Sequence, residues 1–102
     1  MTTQTIERMA VEISGEGEPV VLLHGLGGTT NTWTPLAAAL QRHRCIRPDL
    51  PGAGRSPLPA SGQLTVASLV ESVLKLLQVL GVERARFVGH SMGAILCEDV
   101  AV

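Results

Sequence analysis

The stretch Arg86-Phe-Val-Gly-His-Ser-Met-Gly93 decides how this chain is expected to fold. Its first half is a short apolar run that predicts a strand, and the residues from Ser91 to Cys97 have helical character. Gly89, Ser91 and Gly93 fit the pattern G-x-S-x-G, which requires a sharp turn from a strand into a helix. The two glycines allow the strand and the helix to approach closely. We therefore expect the Ser91 hydroxyl to be exposed at the end of a strand, where a helix N-terminus favours a developing anion.

Strands and helices alternate along the residues that precede this stretch. Val20 to Leu23 is a continuous apolar run between Pro19 and Gly25, which suits a strand buried on both faces. The remaining expected elements are an edge strand over Thr5 to Ile13, a strand over Cys45 to Arg47, and helices over Thr34 to Gln41 and Thr65 to Leu80. This order predicts an α/β fold with a mostly parallel sheet and helices on both faces.

The two predicted helices carry recognisable end signals. Thr34 is expected to be the N-cap of the first helix, with Pro35 at its first position. Thr65 is expected to cap the second helix and Gly81 to end it. Apolar residues of the second helix recur at i, i+3 and i+4, which predicts one buried face: Val66, Leu69, Val70, Val73, Leu74, Leu77 and Leu80. Glu71 and Lys75 on the other face are spaced to pair.

A second loop is expected to lie close to Ser91. The strand over Val20 to Leu23 is followed at once by His24-Gly25-Leu26-Gly27-Gly28. The carboxyl ends of parallel strands share one edge of a sheet, so this loop should lie beside the serine. A backbone N–H group of the loop could then act with the N–H of Met92 to hold an oxyanion. We expect His24 to organise the loop through hydrogen bonds and not to transfer protons.

Composition excludes several other classes. The chain has 102 residues, 45% of them apolar, and a formal net charge of −1, which argues against disorder and against general nucleic-acid binding. No apolar run approaches the roughly 20 residues of a membrane helix. The first 13 residues include Glu7, Arg8 and Glu12 and do not form a signal peptide, so the cytoplasm is the expected compartment. Cys45 and Cys97 match no zinc pattern; we expect two free thiols and no metal site.

A dinucleotide site is the rival interpretation of the glycine-rich loop. Gly25 and Gly27 follow a strand, and Asp49 stands further along the chain. The fingerprint needs a third glycine where Thr30 stands, and it needs the helix to begin within the glycine run, whereas Thr34 starts it later. No G-K-[ST] sequence is present either. No nucleotide or other cofactor is therefore expected.

Three motifs in this order make the chain similar to a known family. They are His24 to Gly28 with Trp33 following, Asp49-Leu-Pro-Gly-Ala-Gly-Arg-Ser56, and Gly89 to Gly93. The chain resembles the N-terminal part of α/β-hydrolase-fold proteins, in the branch of esterases, lactonases and non-haem peroxidase-like proteins. In the second motif, Ala53 departs from the histidine or aromatic residue often found there.

The resemblance also implies roles for individual residues. Ser91 would be the nucleophile, and the backbone N–H groups of Leu26 and Met92 would form the oxyanion hole. Support for the loop and the turn would come from His24, Gly25, Gly89, His90 and Gly93. A serine at this position separates the chain from relatives that use aspartate to open epoxides or displace halide.

The general base and its orienting acid are not found in the sequence. In this fold both follow the serine in chain order, yet the residues after Ser91 include Glu98 and Asp99 and no histidine. We therefore expect residues 1–102 to be a partial α/β-hydrolase domain, without the lid and the C-terminal strands, and expect the isolated chain to be inactive.

Two functions remain open. The first is hydrolysis of small esters, thioesters or lactones through an acyl-enzyme on Ser91, with no nucleic-acid or membrane partner. The second is a non-catalytic fragment or interaction module derived from a hydrolase. In either case the strand over Arg86 to Gly89 would form an exposed sheet edge, through which the chain could self-associate.

Overall fold

The computed structural model describes residues 2–25, 33–57, 64–90, 93 and 95–97. Five strands form one mixed sheet in the spatial order β1-β2-β4-β3-β5. In chain order they are β1 (Thr2–Ile6), β2 (Met9–Ser14), β3 (Glu18–Leu23), β4 (His43–Pro48) and β5 (Arg86–Gly89). β2 pairs antiparallel with both β1 and β4, whereas β3 pairs parallel with both β4 and β5. The sheet is therefore mixed, with two parallel and two antiparallel pairings, and the predicted parallel arrangement holds for β4, β3 and β5.

The N-terminal region differs from the prediction. The prediction of a single edge strand over Thr5 to Ile13 is wrong. A hairpin of β1 and β2 occupies this region, and Ile6 pairs with Met9. Glu7 and Arg8 connect the two strands with φ angles of 50° and 67°. Positive φ at both central residues is the geometry that suits the twist of a two-residue hairpin. No glycine or asparagine marks this turn, so the usual sequence signal for a hairpin is missing.

Helices cover both faces of the sheet, as predicted. They are α1 (Thr34–Ala39) and α2 (Val66–Val79). Side chains of successive strand residues point to opposite faces, so Leu22 and Cys45 pack with Ala37 of α1, and Leu23 and Ile46 pack in the core that contains α2. The α2 side holds the larger core; its buried members are Ile6, Met9, Val11, Val21, Leu23, Ile46, Leu50, Leu69, Val73, Leu76, Leu77 and Leu96.

The start of α2 confirms the predicted cap. Thr65 Oγ1 accepts a hydrogen bond from the Ser68 backbone N–H at 3.0 Å, and Ser68 Oγ accepts one from the Thr65 N–H at 2.9 Å. Gly81 follows the helix with a φ of +70°, and the Glu71–Lys75 ion pair forms at 3.0 Å. Both ends of α2 thus follow from local sequence signals.

The start of α1 corrects the predicted cap. Trp33 is the N-cap residue, and no side chain caps the helix. Thr34 is already the first helical residue, and its Oγ1 accepts a hydrogen bond from Arg47 Nη1 at 3.4 Å. The hydroxyl group of Thr34 is therefore used by a neighbouring strand. The helix ends at Ala39, two residues earlier than predicted.

Among the described residues, no helix is both long enough and apolar enough to cross a membrane.

Candidate active site

The carboxyl ends of β3 and β5 lie side by side at one edge of the sheet. Leu23 and Gly89 are partners in the parallel register, and the His90 N–H donates to the Leu23 carbonyl oxygen at 3.2 Å. The parallel pairing therefore continues one residue beyond the end of β5. As a result, the His24-Gly25 loop and the Gly89-His90 turn leave the sheet at the same place, as the motif positions predict.

Gly93 brings the next helix directly onto this edge. Its N–H donates to the His90 carbonyl oxygen at 3.0 Å, and the residue is buried and helical. A Cβ atom on Gly93 would lie 2.0 Å from the Leu23 carbonyl oxygen and 2.8 Å from that of His24. No side chain fits in this space, because the neighbouring atoms belong to the backbone. The second glycine of the motif thus permits direct backbone contact between the helix and the end of β3.

His24 links two of the three sequence motifs. The side chain is 1% exposed, and its Nε2 accepts a hydrogen bond from the Leu50 N–H at 2.9 Å. Nδ1 lies 2.7 Å from the carbonyl oxygen of Gly25. Since Nε2 accepts, Nδ1 must carry the proton and donate, which defines a neutral imidazole with one tautomer. Both ring nitrogens are occupied, so this histidine holds two loops together and has no free nitrogen for a substrate.

The loop after β4 is held by a second set of buried hydrogen bonds. Asp49 Oδ2 accepts from the Arg55 N–H at 2.9 Å and from Arg55 Nε at 3.1 Å. Ser56 Oγ donates to the Asp49 carbonyl oxygen and accepts from the Ala10 N–H, which attaches the loop to β2. The hydrogen bond with Asp49 is the main cause of a raised pKa at Arg55. This loop is therefore a rigid support for His24, which contacts its residue Leu50.

The residues proposed for the chemistry lie outside the described residues. These are Ser91, Leu26 and Met92, and their predicted roles stay predictions. The residues predicted to support them, namely His24, Gly25, Gly89, His90 and Gly93, all lie at the one sheet edge. His43 begins β4 and therefore lies at the opposite edge, far from His90.

The thiols and the acidic groups do not suggest another reaction centre. Cys45 and Cys97 are free, as expected, and burial raises the pKa of both thiols. For Cys45 the charge of Arg47 partly opposes this effect. A raised pKa keeps a thiol protonated and therefore a poor nucleophile. In the part of the chain that the structure describes, no three His, Cys, Asp or Glu residues form a group able to hold a metal ion.

One group of charged residues near this edge escaped the sequence analysis. Glu12, Arg47, Asp49 and Arg55 form ion pairs that join β2, β4 and the loop after β4. In the sequence, Arg47 stands close to Arg42 and Arg44 in a local cluster of positive charge, which does not identify its partner. The pairing of Arg47 depends on the antiparallel register of β2 with β4, which puts Glu12 opposite it. Local sequence patterns carry no signal for that register.

This arrangement, in which a strand and the helix after it pack against the end of the neighbouring strand β3, is that of a hydrolase-type α/β fold. The chain belongs to the α/β hydrolase fold family, whose family model matches residues 18–98.

Individual relatives agree with this assignment. A protein of Caulobacter sp. (strain K31), provisionally named carbamate hydrolase RutD, is 35% identical over 98 residues, which cover 91% of this chain and 37% of that protein. The crystal structure of a hydrolase from Pseudomonas aeruginosa is 34% identical, with a TM-score of 0.85, over 98% of this chain and 40% of that one. The crystal structure of the epoxide hydrolase VrEH1 from Vigna radiata is 30% identical, with a TM-score of 0.83, over 97% of this chain and 32% of that one. The chain thus spans less than half the length of these relatives.

Replacing Gly93 by alanine should be strongly destabilising. The Cβ atom would meet the carbonyl oxygens of Leu23 and His24, so the helix must move away from β3; we expect a loss of about 3 kcal/mol or more in the free energy of unfolding. Gly81→Ala is the matched control, because Gly81 has a φ of +70° but a Cβ there would meet no atom of the described residues within 4 Å. Its cost should be the left-handed strain alone, about 1–2 kcal/mol. Urea denaturation of both variants makes the comparison; equal losses would contradict the close contact at Gly93.

Two substitutions of His24 should separate its hydrogen bond from its volume. His24→Leu leaves the buried Leu50 N–H without an acceptor, which should cost about 1–3 kcal/mol more than His24→Gln, whose side-chain oxygen can replace Nε2. Chemical denaturation gives the stabilities, and amide hydrogen exchange at Leu50 reports the bond itself. If both variants lost the same stability and the Leu50 amide stayed equally protected, His24 would not be the link between the loops.

Proposed function

We propose that the full-length protein carrying this chain is a serine hydrolase of small esters, thioesters or lactones, which acts through an acyl-enzyme on Ser91. The contact of Gly93 with the Leu23 and His24 carbonyl oxygens carries this proposal. It supports a tight turn at Ser91, because His90 and Gly93, on the two sides of the serine, are hydrogen-bonded to each other and packed against the end of β3. A packed strand-to-helix turn of this kind is the context in which G-x-S-x-G carries a nucleophile.

The proposed reaction uses the edge where β3 and β5 end. Ser91 Oγ attacks the acyl carbon while a general base removes its proton, and the carbonyl oxygen becomes an oxyanion. The N–H groups of Leu26 and Met92 are proposed to stabilise that charge. Collapse of the intermediate releases the alcohol, thiol or ring oxygen, which takes up the proton. Water then attacks the acyl-enzyme and frees the acid and Ser91.

The general base and the acid that orients it are not among the described side chains near Ser91. Both ring nitrogens of His24 form hydrogen bonds within the protein, and His43 lies at the opposite sheet edge. In this fold both groups follow the nucleophile in chain order. The proposal therefore treats residues 1–102 as the N-terminal part of a domain and assigns both groups to the portion of the fold that the relatives have beyond this match. The finding that the chain covers 37% of the Caulobacter protein supports this view.

Labelling of the full-length protein with a fluorophosphonate tests the nucleophile. We expect one adduct on Ser91, because the base and the oxyanion hole activate that serine alone. Ser91→Ala should remove labelling and lower kcat by at least about 10⁴-fold with esters or lactones. Ser72→Ala, which changes a serine on α2 whose hydroxyl group donates to the Ser68 carbonyl oxygen, is the control and should keep full activity.

Hydrolytic activity of the full-length protein should be measured with an epoxide and a carbamate as well as with esters, thioesters and lactones. Turnover of the epoxide alone, or an adduct absent from Ser91, would refute the proposal. In the isolated 102-residue chain we expect hydrolysis of activated esters to be poor and Ser91→Ala to change little. An equally large loss of activity on Ser91→Ala in the isolated chain and in the full-length protein would reveal a general base within residues 1–102.

The second function, an interaction module, is supported by the edge at β5. In the described part of the chain β5 pairs with β3 alone, and half-buried Phe87 and Val88 lie on it. Because the His90 N–H points to β3 and N–H directions alternate along a strand, the N–H groups of Phe87 and Gly89 point to the open side. We propose that the isolated chain self-associates through this edge.

Concentration-dependent hydrogen exchange tests self-association of the isolated chain. We expect the Phe87 and Gly89 amides to become protected as concentration rises, while the inward-pointing Val88 amide serves as the internal control and stays unchanged. Sedimentation velocity over the same range should show growth beyond the monomer. A sharp monomer at all concentrations, with a fixed near-UV signal from Trp33 and cooperative melting, would contradict this proposal.

A further inference from the structure

β1 (Thr2–Ile6) is an outer strand of the sheet and, within the described residues, pairs with β2 alone. Such an edge offers unpaired N–H and C=O groups to other strands, and folded monomers protect it with charged side chains, proline or a bulge. The sequence of β1, Thr-Thr-Gln-Thr-Ile, contains neither a charged residue nor proline. Its register with β2 is continuous from Thr2 to Ile6, so no bulge interrupts it either. The β1 edge therefore lacks the usual protection against strand pairing.

The contacts of Ala10 show which backbone groups of β1 face outward. The Ala10 N–H donates to Ser56 Oγ at 2.9 Å, and its carbonyl oxygen accepts the Asp49 N–H at 2.8 Å, so both groups point away from β1. Ala10 is the register partner of Thr5. Because the two residues of an antiparallel pair either exchange both hydrogen bonds or neither, the N–H and C=O of Thr5 also point away from β2. Those of Thr3 do the same, since this direction alternates along a strand.

These outward groups are arranged symmetrically about Gln4, with Thr3 on one side and Thr5 on the other. A second β1, placed antiparallel with a two-fold axis at Gln4, would bring Thr3 of one copy opposite Thr5 of the other. Both resulting pairs are of the hydrogen-bonded kind, so the N–H and C=O groups of both threonines find partners. The edge is therefore complementary to itself, which is the requirement for a two-fold interface that closes at a dimer.

The side chains along this edge fit the same pairing. Thr3 and Thr5 are exposed and lie on one face of the sheet, whereas exposed Gln4 lies on the other. The antiparallel pairing would place threonine opposite threonine on the first face and Gln4 opposite its own copy on the second. Cross-strand threonine pairs are favourable, and like charges directly opposite each other are unfavourable. Since β1 carries no charged residue, no like charges within the two strands oppose the pairing.

We propose that β1 is an interaction surface for a second copy of this chain, whose β1 pairs with it antiparallel and joins the two sheets into one. β5 lies at the other end of the strand order, so this surface is separate from the β5 edge. The dimer does not depend on the reaction proposed for Ser91. Pairing of two five-residue strands is a small interface, and small interfaces belong to weak, reversible complexes.

A charge exchange between positions 3 and 5 tests both the partner and the register. In Thr3→Lys/Thr5→Lys, lysines of the two copies face each other in both pairs, whereas in Thr3→Lys/Thr5→Glu each lysine faces a glutamate. Glu12, the β2 partner of Thr3, is already paired with Arg47 and Arg55. We expect the first double variant to raise the Kd of the dimer about 10-fold and the second to restore or lower it. A partner other than a copy of β1 would not follow this exchange.

Sedimentation velocity of the full-length protein measures the dimer, over concentrations from about 10 μM to about 1 mM that suit a weak complex. Ala38→Lys/Gln78→Lys is the matched control: it adds the same charge at exposed positions of α1 and α2 and should dimerise like the wild type. Thermal melting checks that every variant is folded. A monomer at all concentrations, or equal Kd values for the two double variants of Thr3 and Thr5, would overturn the proposal.

Hydrogen exchange in the full-length wild type tests the same pairing without substitutions. The Thr3 and Thr5 amides should become protected as the concentration rises, whereas the Gln4 amide points to β2 and serves as the internal control. Protection of Thr3 and Thr5 that does not change with concentration would mean that another segment covers the edge, and would overturn the proposal. Rapid exchange of both amides at every concentration would overturn it as well.

Discussion

The direct backbone contact between Gly93 and the end of β3 is the constraint on which this edge of the sheet depends. A Cβ atom at Gly93 would lie 2.0 Å from the Leu23 carbonyl oxygen, closer than any side-chain carbon can approach. The same carbonyl oxygen accepts the His90 N–H, so the residues before and after the Ser91–Met92 pair meet at one atom of β3. The helix cannot slide along the sheet without breaking this contact. Gly93 is therefore fixed relative to Leu23 and His24.

The loop at His24 is fixed by a different kind of interaction. Its imidazole is a neutral connector with one nitrogen that donates and one that accepts, and it joins the ends of β3 and β4. Ser56 extends this support to β2 through its hydrogen bonds with Asp49 and Ala10. The three strand ends nearest the candidate site are thus linked by polar groups that are buried and paired. Such groups specify one geometry, because each would be costly to bury without its partner.

Local sequence signals predicted the parts of the fold that depend on neighbours in the chain. Thr65 and Gly81 set the ends of α2, and Gly93 permits the close backbone contact that follows β5. The errors arose where distant residues intervene. Thr34 was expected to be a cap, but its hydroxyl group is taken by Arg47, 13 positions further along the chain.

The hairpin and the burial of α2 show the same limit. Glu7 and Arg8 form a tight turn without a turn residue, because pairing of β1 with β2 imposes it. Leu76 is fully buried although it was not assigned to the apolar face, whereas Leu74 is 44% exposed. The helical period gives the width of an apolar face, and the way the helix lies on the sheet decides which residues at its margins are covered. The pairing of Glu12 with Arg47 likewise follows from strand register, which no local pattern specifies.

The two kinds of ion pair in this chain explain why charge is buried beside the candidate site. Glu71 and Lys75 pair on the surface of α2, where solvent screening leaves an isolated pair worth little. Glu12 and Arg47 are almost fully covered, and at such positions desolvation can exceed the attraction between the charges. Stability alone would be served as well by apolar side chains of similar size. What an apolar pair could not provide is directed contact with Thr34, Arg55 and Asp49 at once, so the buried charges are better understood as fixing the relative positions of β2, β4 and α1.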